Sequence, residues 1–195
     1  MQARTFVFFG NVGSGKGTQT KLLADFLKAK DGRESVYAGM GEGFRKILEP
    51  GNYTAELIKD SMARGQLVDD FLTNAIFTNM LVSSLTPEKH LFADGYPRTV
   101  AQAEVFEEMM QFFKRGPIEI VYINVSKEEA KQRNLLRGRH DDTEEGLAKR
   151  FDEYEKNVVP AMNYLKGRPG YTVHTVTGEQ PIEKVHQDII KALGY

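Results

Sequence analysis

Residues 6–19 read Phe6-Val7-Phe8-Phe9-Gly10-Asn11-Val12-Gly13-Ser14-Gly15-Lys16-Gly17-Thr18-Gln19. An apolar run of strand length ends at Gly10, a glycine-spaced loop follows, and a helical pattern opens at Lys16. This order and the spacing Gly-x-x-x-x-Gly-Lys predict a P-loop. Glycines let consecutive backbone N–H groups turn inward around a phosphate chain. The helix N-terminus adds partial positive charge, and Lys16 adds a point charge for the outer phosphates.

Composition limits what the chain can be. Its 195 residues are 41% hydrophobic and 27% charged, which suits one globular domain with a full core. The formal net charge of −1 gives no support to a nucleic-acid partner. Cysteine is absent from the sequence, which excludes disulfides and thiolate metal sites and fits a reducing compartment. A first strand near Thr5 leaves no room for a signal peptide, and no apolar run suggests a membrane helix, so we expect a cytoplasmic protein.

Short apolar runs alternate with helical patterns along the chain. The runs are rich in β-branched and aromatic residues, as buried parallel strands are, and we predict strands over Thr5–Phe9, Glu34–Tyr37, His90–Ala93, Ile118–Asn124 and Tyr171–Val176. Helices are predicted between them, over Gly15–Ala29, Phe44–Leu48, Thr54–Arg64, Asp69–Ser83, Val100–Phe113, Lys127–Arg137, Thr143–Leu165 and Ile182–Leu193. The alternation predicts an α/β fold, a doubly wound parallel sheet of five strands with helices on both faces.

Two regions interrupt the alternation. Three short helices are predicted between Gly41 and Ser84, which is far more than a simple crossover needs. A short, highly charged loop, residues 137–142, separates two later helices. Inserts on a P-loop core usually serve a second substrate or close over the first, so we expect that role for both regions.

The third predicted strand runs into a second motif, Leu91-Phe92-Ala93-Asp94-Gly95-Tyr96-Pro97-Arg98-Thr99. An aspartate at the end of an apolar strand is what a P-loop enzyme uses to hold Mg²⁺ or its waters beside phosphates. Arg98 follows at the carboxyl edge of the sheet, where ligands bind in open α/β folds. The alternative is a strand-to-helix turn with local hydrogen bonds of Asp94. Beside a P-loop, we favour the functional interpretation.

Four arginines form the third signal. Arg133 and Arg137 lie on one face of a predicted helix, Arg139 lies in the charged loop, and Arg150 follows in the next helix. A phosphoryl group in transfer spreads negative charge over three oxygens, a geometry that guanidinium groups match. The alternative is a solvated face paired with neighbouring glutamates, which is common for any single arginine. Because the set flanks a lapse in the helical pattern, we favour phosphate binding.

Together the P-loop, the segment Asp94–Thr99 and the charged stretch Arg139-His140-Asp141-Asp142 resemble the adenylate kinases, within the nucleoside monophosphate kinases. The resemblance covers nearly the whole chain and corresponds to the short-lid form. It implies one adenylate-kinase-like domain over 1–195, with a monophosphate-binding insert over 39–68 and a short lid over 137–146. It also implies reversible transfer of the terminal phosphoryl group of ATP to AMP, giving two ADP.

The resemblance also implies which residues act. ATP would be bound by the P-loop, the lid side and a turn after the last strand, through Gly13, Ser14, Gly15, Lys16, Gly17, Thr18, Arg133, Arg137 and Gln180. AMP would lie against Met40, Arg45, Gln66, Leu67, Val68, Gly95, Arg98, Gln102, Arg139 and Arg150. The catalytic set would be Lys16, Arg98, Arg133, Arg139 and Arg150, and Asp94 would hold Mg²⁺ through water.

The sequence departs from the family pattern at several positions. Val12 replaces the usual proline of the P-loop, which should affect the stiffness of the loop more than its chemistry. The insert usually reads Ser/Thr-Thr-Gly-Asp/Glu-x-x-Arg, whereas this chain has Gly39 and Met40 at the first two positions, so any hydroxyl hydrogen bond there is lost. His140 is interpreted as a polar lid residue, because a structural zinc site without cysteine is not expected.

Three alternatives stay open at this point. Met40 permits a pyrimidine acceptor, UMP or CMP, whereas Gln102 favours AMP. A P-loop regulatory switch is disfavoured, since Gly17 follows Lys16 where such switches have Ser or Thr, and their Asn-Lys-x-Asp motif is missing. A catalytically weak nucleotide-binding homologue is the third. We expect ATP and AMP as small-molecule partners, no nucleic-acid or membrane partner, and a monomer.

Overall fold

The structure is a computed structural model, and it describes residues 2–49, 51–63, 66–137 and 143–195. A single sheet organises it, built from β1 (Thr5–Phe9), β2 (Ser35–Gly39), β3 (His90–Asp94), β4 (Ile118–Asn124) and β5 (Tyr171–Thr177). The strand order is β2-β3-β1-β4-β5, and each neighbouring pair is parallel. The predicted five-stranded parallel sheet is therefore confirmed.

Helices connect the strands. They are α1 (Lys16–Asp31), α2 (Met40–Leu48), α3 (Tyr53–Ala63), α4 (Asp70–Ser84), α5 (Val100–Phe112), α6 (Lys127–Arg137), α7 (Glu144–Glu153), α8 (Val159–Lys166) and α9 (Ile182–Ala192), with a π-helical turn at Tyr154–Val158. The three predicted helices between the second and third strands are present as α2, α3 and α4. In the described part of the chain, no helix has the length and apolar character that crossing a membrane demands.

The sheet is covered on both faces. Alternate residues of β1 enter different cores, since Val7 and Phe9 join one cluster whereas Phe6 and Phe8 join the other. The first cluster contains Phe77 of α4 and buried residues of α5 and α8, and the second contains buried residues of α1 and α9. Because both faces are buried, β1 is a continuous apolar run, which is why the sequence pattern identified it.

Helix α2 begins four residues earlier than predicted, at Met40 instead of Phe44. Gly41 and Gly43 have low helix propensity, so the local sequence does not favour a helix over this segment. In the structure, a Cβ on Gly43 would lie 2.4 Å from Met80 Cε and 2.8 Å from Ile76 Cγ2, both on α4. The glycine therefore permits close packing of α2 against α4, and this tertiary contact outweighs local propensity.

The helix predicted over Thr143–Leu165 is wrong in one respect. The structure divides it into α7, the π-helical turn and α8. Pro160 lies at the start of α8 and has no N–H to donate to the preceding turn. The hydrogen-bond register changes just before this proline, and a pattern of apolar residues does not reveal such a change.

Candidate active site

A cavity of about 630 Å³ opens at the carboxyl edge of the sheet. Its lining includes the ends of β1 and β3, the loop before α1, the exposed side of α2, residues 66–68 and the end of α7. Strands β3 and β4 lie on opposite sides of β1, so the chain reverses direction across the sheet at this point. Ligands of open α/β sheets bind at such a crevice.

The loop between β1 and α1 depends on glycine at two positions. Gly10 has φ +146° and Gly13 has φ +81°, which side chains rarely adopt. A Cβ on Gly13 would also lie 2.4 Å from Asn134 Nδ2 and 2.8 Å from the Ala130 carbonyl oxygen. Helix α6 therefore packs directly against the loop. The predicted P-loop has the strand–loop–helix context that its chemistry needs.

Lys16 is the first residue of α1, and its ammonium group turns back into the loop. Nζ donates to the Gly10 carbonyl oxygen at 2.6 Å and to the Asn11 carbonyl oxygen at 2.9 Å. It also lies 3.5 Å from Ser14 Oγ. These acceptors hold a positive charge at the cavity wall, where phosphate oxygens could take their place.

Asp94, the last residue of β3, lies beside the start of α1. A Cβ on Gly17 would be 3.8 Å from Asp94 Oδ2, and the same oxygen accepts a 2.8 Å hydrogen bond from the Tyr37 hydroxyl. Burial, and then the charge of Asp94, raise the pKa of Tyr37 well above its ordinary value, so the phenol is a donor at neutral pH. The sequence analysis missed Tyr37, because the residue pattern of an edge strand does not show in which direction an aromatic side chain points.

The carboxylate of Asp94 fits a magnesium ion bound together with phosphates. Mg²⁺ prefers oxygen ligands, keeps several waters, and commonly takes only one or two carboxylates beside substrate phosphates. Within the described residues, no group of three or more His, Asp or Glu side chains could hold a metal by itself. A single carboxylate facing the P-loop is therefore consistent with an ion carried in by a nucleotide.

Arg98, in the segment after β3, also lines the cavity and is held by two hydrogen bonds. Its Nε donates to the Gly95 carbonyl oxygen at 2.9 Å, and its backbone N–H donates to Gln102 Oε1 at 2.7 Å. Burial lowers the pKa of Arg98 from its ordinary value, and the negative charge of Asp94 opposes this effect. A partly buried guanidinium aimed at a cavity is suited to binding an anion.

Gln102 lies behind the cavity rather than in its wall. Only 1% of the residue is exposed, and its Nε2 donates to Asp70 Oδ1 at 2.7 Å. The other oxygen of Asp70 accepts from Thr99 Oγ1 at 2.9 Å, and Thr99 also caps α5 by accepting from the Gln102 N–H. The sequence analysis missed Asp70. In this structure the amide of Gln102 joins α4 to the backbone of Arg98.

Arg133 and Gln180 lie on the other side of the P-loop. Arg133 Nε donates to Glu129 Oε1 at 2.7 Å, and its Nη2 donates to the Gly178 carbonyl oxygen at 2.9 Å. Gln180 Nε2 donates to Asp188 Oδ2 at 3.0 Å. A Cβ on Gly178 would be 3.3 Å from the Ser14 carbonyl oxygen, so the turn after β5, which contains Gly178 and Gln180, adjoins the P-loop.

The cavity gathers most, but not all, of the predicted site residues. Its wall includes Gly13, Gly15, Lys16, Gly17, Thr18, Arg45, Gln66, Leu67, Val68, Asp94, Gly95, Arg98 and Arg150. Five others whose side chains the structure describes lie outside the wall, namely Ser14, Met40, Gln102, Arg133 and Gln180. Met40 is fully buried. Arg137 is the last residue of α6, and residues 138–142 of the predicted lid, including Arg139 and His140, fall outside the described residues.

Helix α7 and the π-helical turn contribute further wall residues. Arg150, Glu153 and Tyr154 share one side of this segment and line the cavity. Tyr154 is 8% exposed, and burial raises its pKa well above the ordinary value. The sequence analysis named only Arg150, since the π-helical register that places Tyr154 is a tertiary feature.

The fold and this cavity define a P-loop nucleotide-binding protein of the kind that transfers phosphoryl groups. Comparison with known proteins identifies the family, since the model of the adenylate kinase family matches residues 8–169. The chain belongs to the adenylate kinase family, and it is a phosphotransferase. The resemblance inferred from three motifs is confirmed, and the regulatory-switch alternative is disfavoured.

Individual relatives agree with this assignment. The chain is 33% identical over 184 residues to an adenylate kinase of Prochlorococcus marinus strain MIT 9301, covering 94% of each chain. It is 36% identical over 161 residues to the adenylate kinase of strain AS9601, covering 82% of this chain and 83% of the relative. It is 30% identical over 191 residues to adenylate kinase 1 of Nostoc sp. strain PCC 7120, covering 96% of this chain and 97% of the relative.

Proposed function

We propose that the protein transfers the terminal phosphoryl group of ATP to AMP, with Mg²⁺, and forms two ADP. The main support is the position of Lys16 and Arg98, which line the same cavity at the carboxyl edge of the sheet. Arg45 and Arg150 line the same cavity. Four positive charges around one crevice suit two substrates that both bear phosphates.

The donor nucleotide is assigned to the P-loop side. Backbone N–H groups of Gly13–Thr18 bind the phosphates of ATP, and Lys16 neutralises the outer ones. Arg133 and Arg137 contact ATP from the lid side, and the turn that contains Gln180 meets its base. The bond from Arg133 Nη2 to the Gly178 carbonyl oxygen supports this arrangement, since it joins α6 to that turn beside the P-loop.

The acceptor is assigned to the opposite side, formed by the insert over 39–68 and the segment after β3. Arg45 and Arg98 bind the phosphate of AMP, and residues 66–68 and Gly95 pack against the nucleoside. Gln102 contributes by holding the backbone of Arg98, and Met40 contributes by packing beneath the site. A pyrimidine monophosphate is the second candidate acceptor, because Met40 offers no hydroxyl.

Catalysis is proposed to come from positioning and charge, without a covalent intermediate or a general base. Lys16, Arg98, Arg133, Arg139 and Arg150 neutralise the phosphoryl group as it moves. Asp94 would hold Mg²⁺ through water. The ion, when bound, would supply positive charge that offsets the negative charge of the phosphates. A lid over 137–146 and the insert close and exclude water, which would otherwise compete as acceptor.

A coupled assay of ADP formation tests the proposal. Wild-type protein is supplied with ATP and, in turn, AMP, UMP, CMP or GMP. We expect kcat/KM for AMP to exceed that for UMP and CMP by about 10–200-fold, the range that pocket contacts give. Phosphorylation of none of the four would refute the phosphotransferase activity, and a preference for UMP or CMP would refute AMP as the acceptor. We further propose that the protein is cytoplasmic and monomeric. Sedimentation of the purified protein tests whether it is a monomer.

A further inference from the structure

Tyr37 connects the edge strand to the Asp94 carboxylate. Strand β2 pairs with β3 in a register that places Gly39 opposite Asp94 and Tyr37 opposite Phe92. The side chain of Tyr37 reaches two residues along this register, and its hydroxyl donates to Asp94 Oδ2 at 2.8 Å. The residue is 46% exposed and lines the cavity. The phenol therefore lies at the site without being part of the P-loop or of the arginine set.

The ring of Tyr37 occupies space that a side chain at position 39 would need. A Cβ on Gly39 would lie 2.4 Å from Tyr37 Cε1, 2.7 Å from Cζ and 2.8 Å from the hydroxyl oxygen. Gly39 has φ −96°, which any residue adopts, so its backbone does not require glycine. The three nearest atoms to a Cβ at position 39 all belong to Tyr37, so its ring leaves no room for a side chain there.

We infer that Tyr37 is a positioning residue of the phosphoryl-transfer site, whose hydroxyl orients the Asp94 carboxylate, and that Gly39 provides the space for its ring. The inference rests on the proposed function, because Asp94 matters through the water shell of Mg²⁺. A carboxylate held by one hydrogen bond loses less orientational freedom when it binds metal-bound water. The departure from the family pattern at Gly39 and the hydrogen bond from Tyr37 to Asp94 are thus parts of one arrangement.

The expected size of the effect of losing the Tyr37 hydroxyl follows from the exposure of this residue. Removing a partner that orients a metal-binding group typically costs 10–100-fold in metal affinity or activity, but water can replace a half-exposed phenol, so we expect about a three- to tenfold effect. The effect should appear only when Mg²⁺ is present. A tyrosine that merely stabilised β2 would alter nucleotide binding equally with and without the metal.

Calorimetric titration of the protein with ATP, in excess Mg²⁺ or in EDTA, measures the gain in affinity that Mg²⁺ gives. In Tyr37→Phe we expect this gain to fall by about three- to tenfold, with unchanged affinity in EDTA. Tyr164→Phe is the matched control, because Tyr164 donates to Glu107 Oε2 at 3.2 Å and does not line the cavity. In Tyr164→Phe, Mg²⁺ should increase the affinity for ATP by the same factor as in the wild type.

Gly39→Ser provides a second variant, which keeps the hydroxyl group of Tyr37 but displaces the Tyr37 ring. It should show the same reduced gain as Tyr37→Phe, and the double variant should be no worse than either, since the hydrogen bond can be lost only once. The inference would be overturned if Mg²⁺ increased the ATP affinity of Tyr37→Phe as much as that of the wild type, or if Tyr37→Phe lost the same ATP affinity in EDTA as in Mg²⁺. The proposed function would still stand in either case, provided that the wild-type protein is active. Wild-type protein that forms no ADP from ATP and AMP would overturn both.

Discussion

Replacing Gln102 by methionine separates two roles for this side chain. If Gln102 mainly reads the acceptor base, the variant should fold as well as the wild type and bind AMP poorly. In the structure its amide instead accepts from the Arg98 N–H at 2.7 Å and donates to Asp70 at 2.7 Å. Methionine has a similar shape and can make neither bond. We therefore expect Gln102→Met to destabilise the fold as well as the site.

The magnitude follows from the two partners left behind. A buried group without its hydrogen bond costs about 1–3 kcal/mol, and Asp70 keeps its bond from Thr99, so the free energy of unfolding should fall by about 2–4 kcal/mol in total. Arg98 also loses the anchor of its backbone, so KM for AMP should rise. Gln111→Met, an exposed change on the same helix, should shift stability by less than about 0.5 kcal/mol.

Urea denaturation and steady-state kinetics of the same preparations decide the matter. A loss of unfolding free energy together with a raised KM supports the positioning role of Gln102. A raised KM with stability within about 0.5 kcal/mol of the wild type would refute the reasoning, because the two hydrogen bonds would then contribute nothing to the fold.

Two further predictions concern pH and the lid. His90 is 1% exposed and accepts the Arg4 N–H through Nδ1, and burial lowers its pKa although Asp31 opposes this. The unfolded chain therefore binds the proton more readily, so stability should be full above about pH 6.5 and fall below it. In urea melts, the free energy of unfolding should decline less between pH 8 and pH 5 in His90→Gln than in the wild type. An equal decline in both proteins would contradict the role of His90 in the pH dependence. Arg139→Ala should lower kcat by roughly 10³-fold and unfolding free energy by no more than about 0.5 kcal/mol, and a near-normal kcat would refute its role.

The parts of the fold that sequence reasoning predicted are those with local causes. Strands β1 and β4 have the predicted bounds, because most residues of both strands are apolar and buried. The P-loop was predicted because glycine spacing, strand end and helix start lie within fourteen consecutive residues, 6–19. Such features depend on neighbouring residues and can be read from one short segment.

Other features depend on residues that are far apart. The bond from Tyr37 to Asp94 spans 57 positions, and the bond from Gln102 to Asp70 spans 32. Both require a particular rotamer as well as a particular fold, and no motif encodes either one. The early start of α2 is similar, because it depends on Ile76 and Met80 of another helix. The predicted site could therefore be located from sequence, but not the contacts that orient its side chains.

The central claim is that the P-loop lysine acts on a phosphoryl group passing between two nucleotides. Its most direct test is kcat for ADP formation from ATP and AMP in Lys16→Met, with Lys21→Met, an exposed change on the same helix, as the control. We predict a loss on the order of 10²–10³-fold or more in Lys16→Met, as when one preorganised donor is removed, and normal kcat in the control. A Lys16→Met variant that keeps more than about half of the wild-type kcat would contradict the account, since one preorganised donor is normally worth far more.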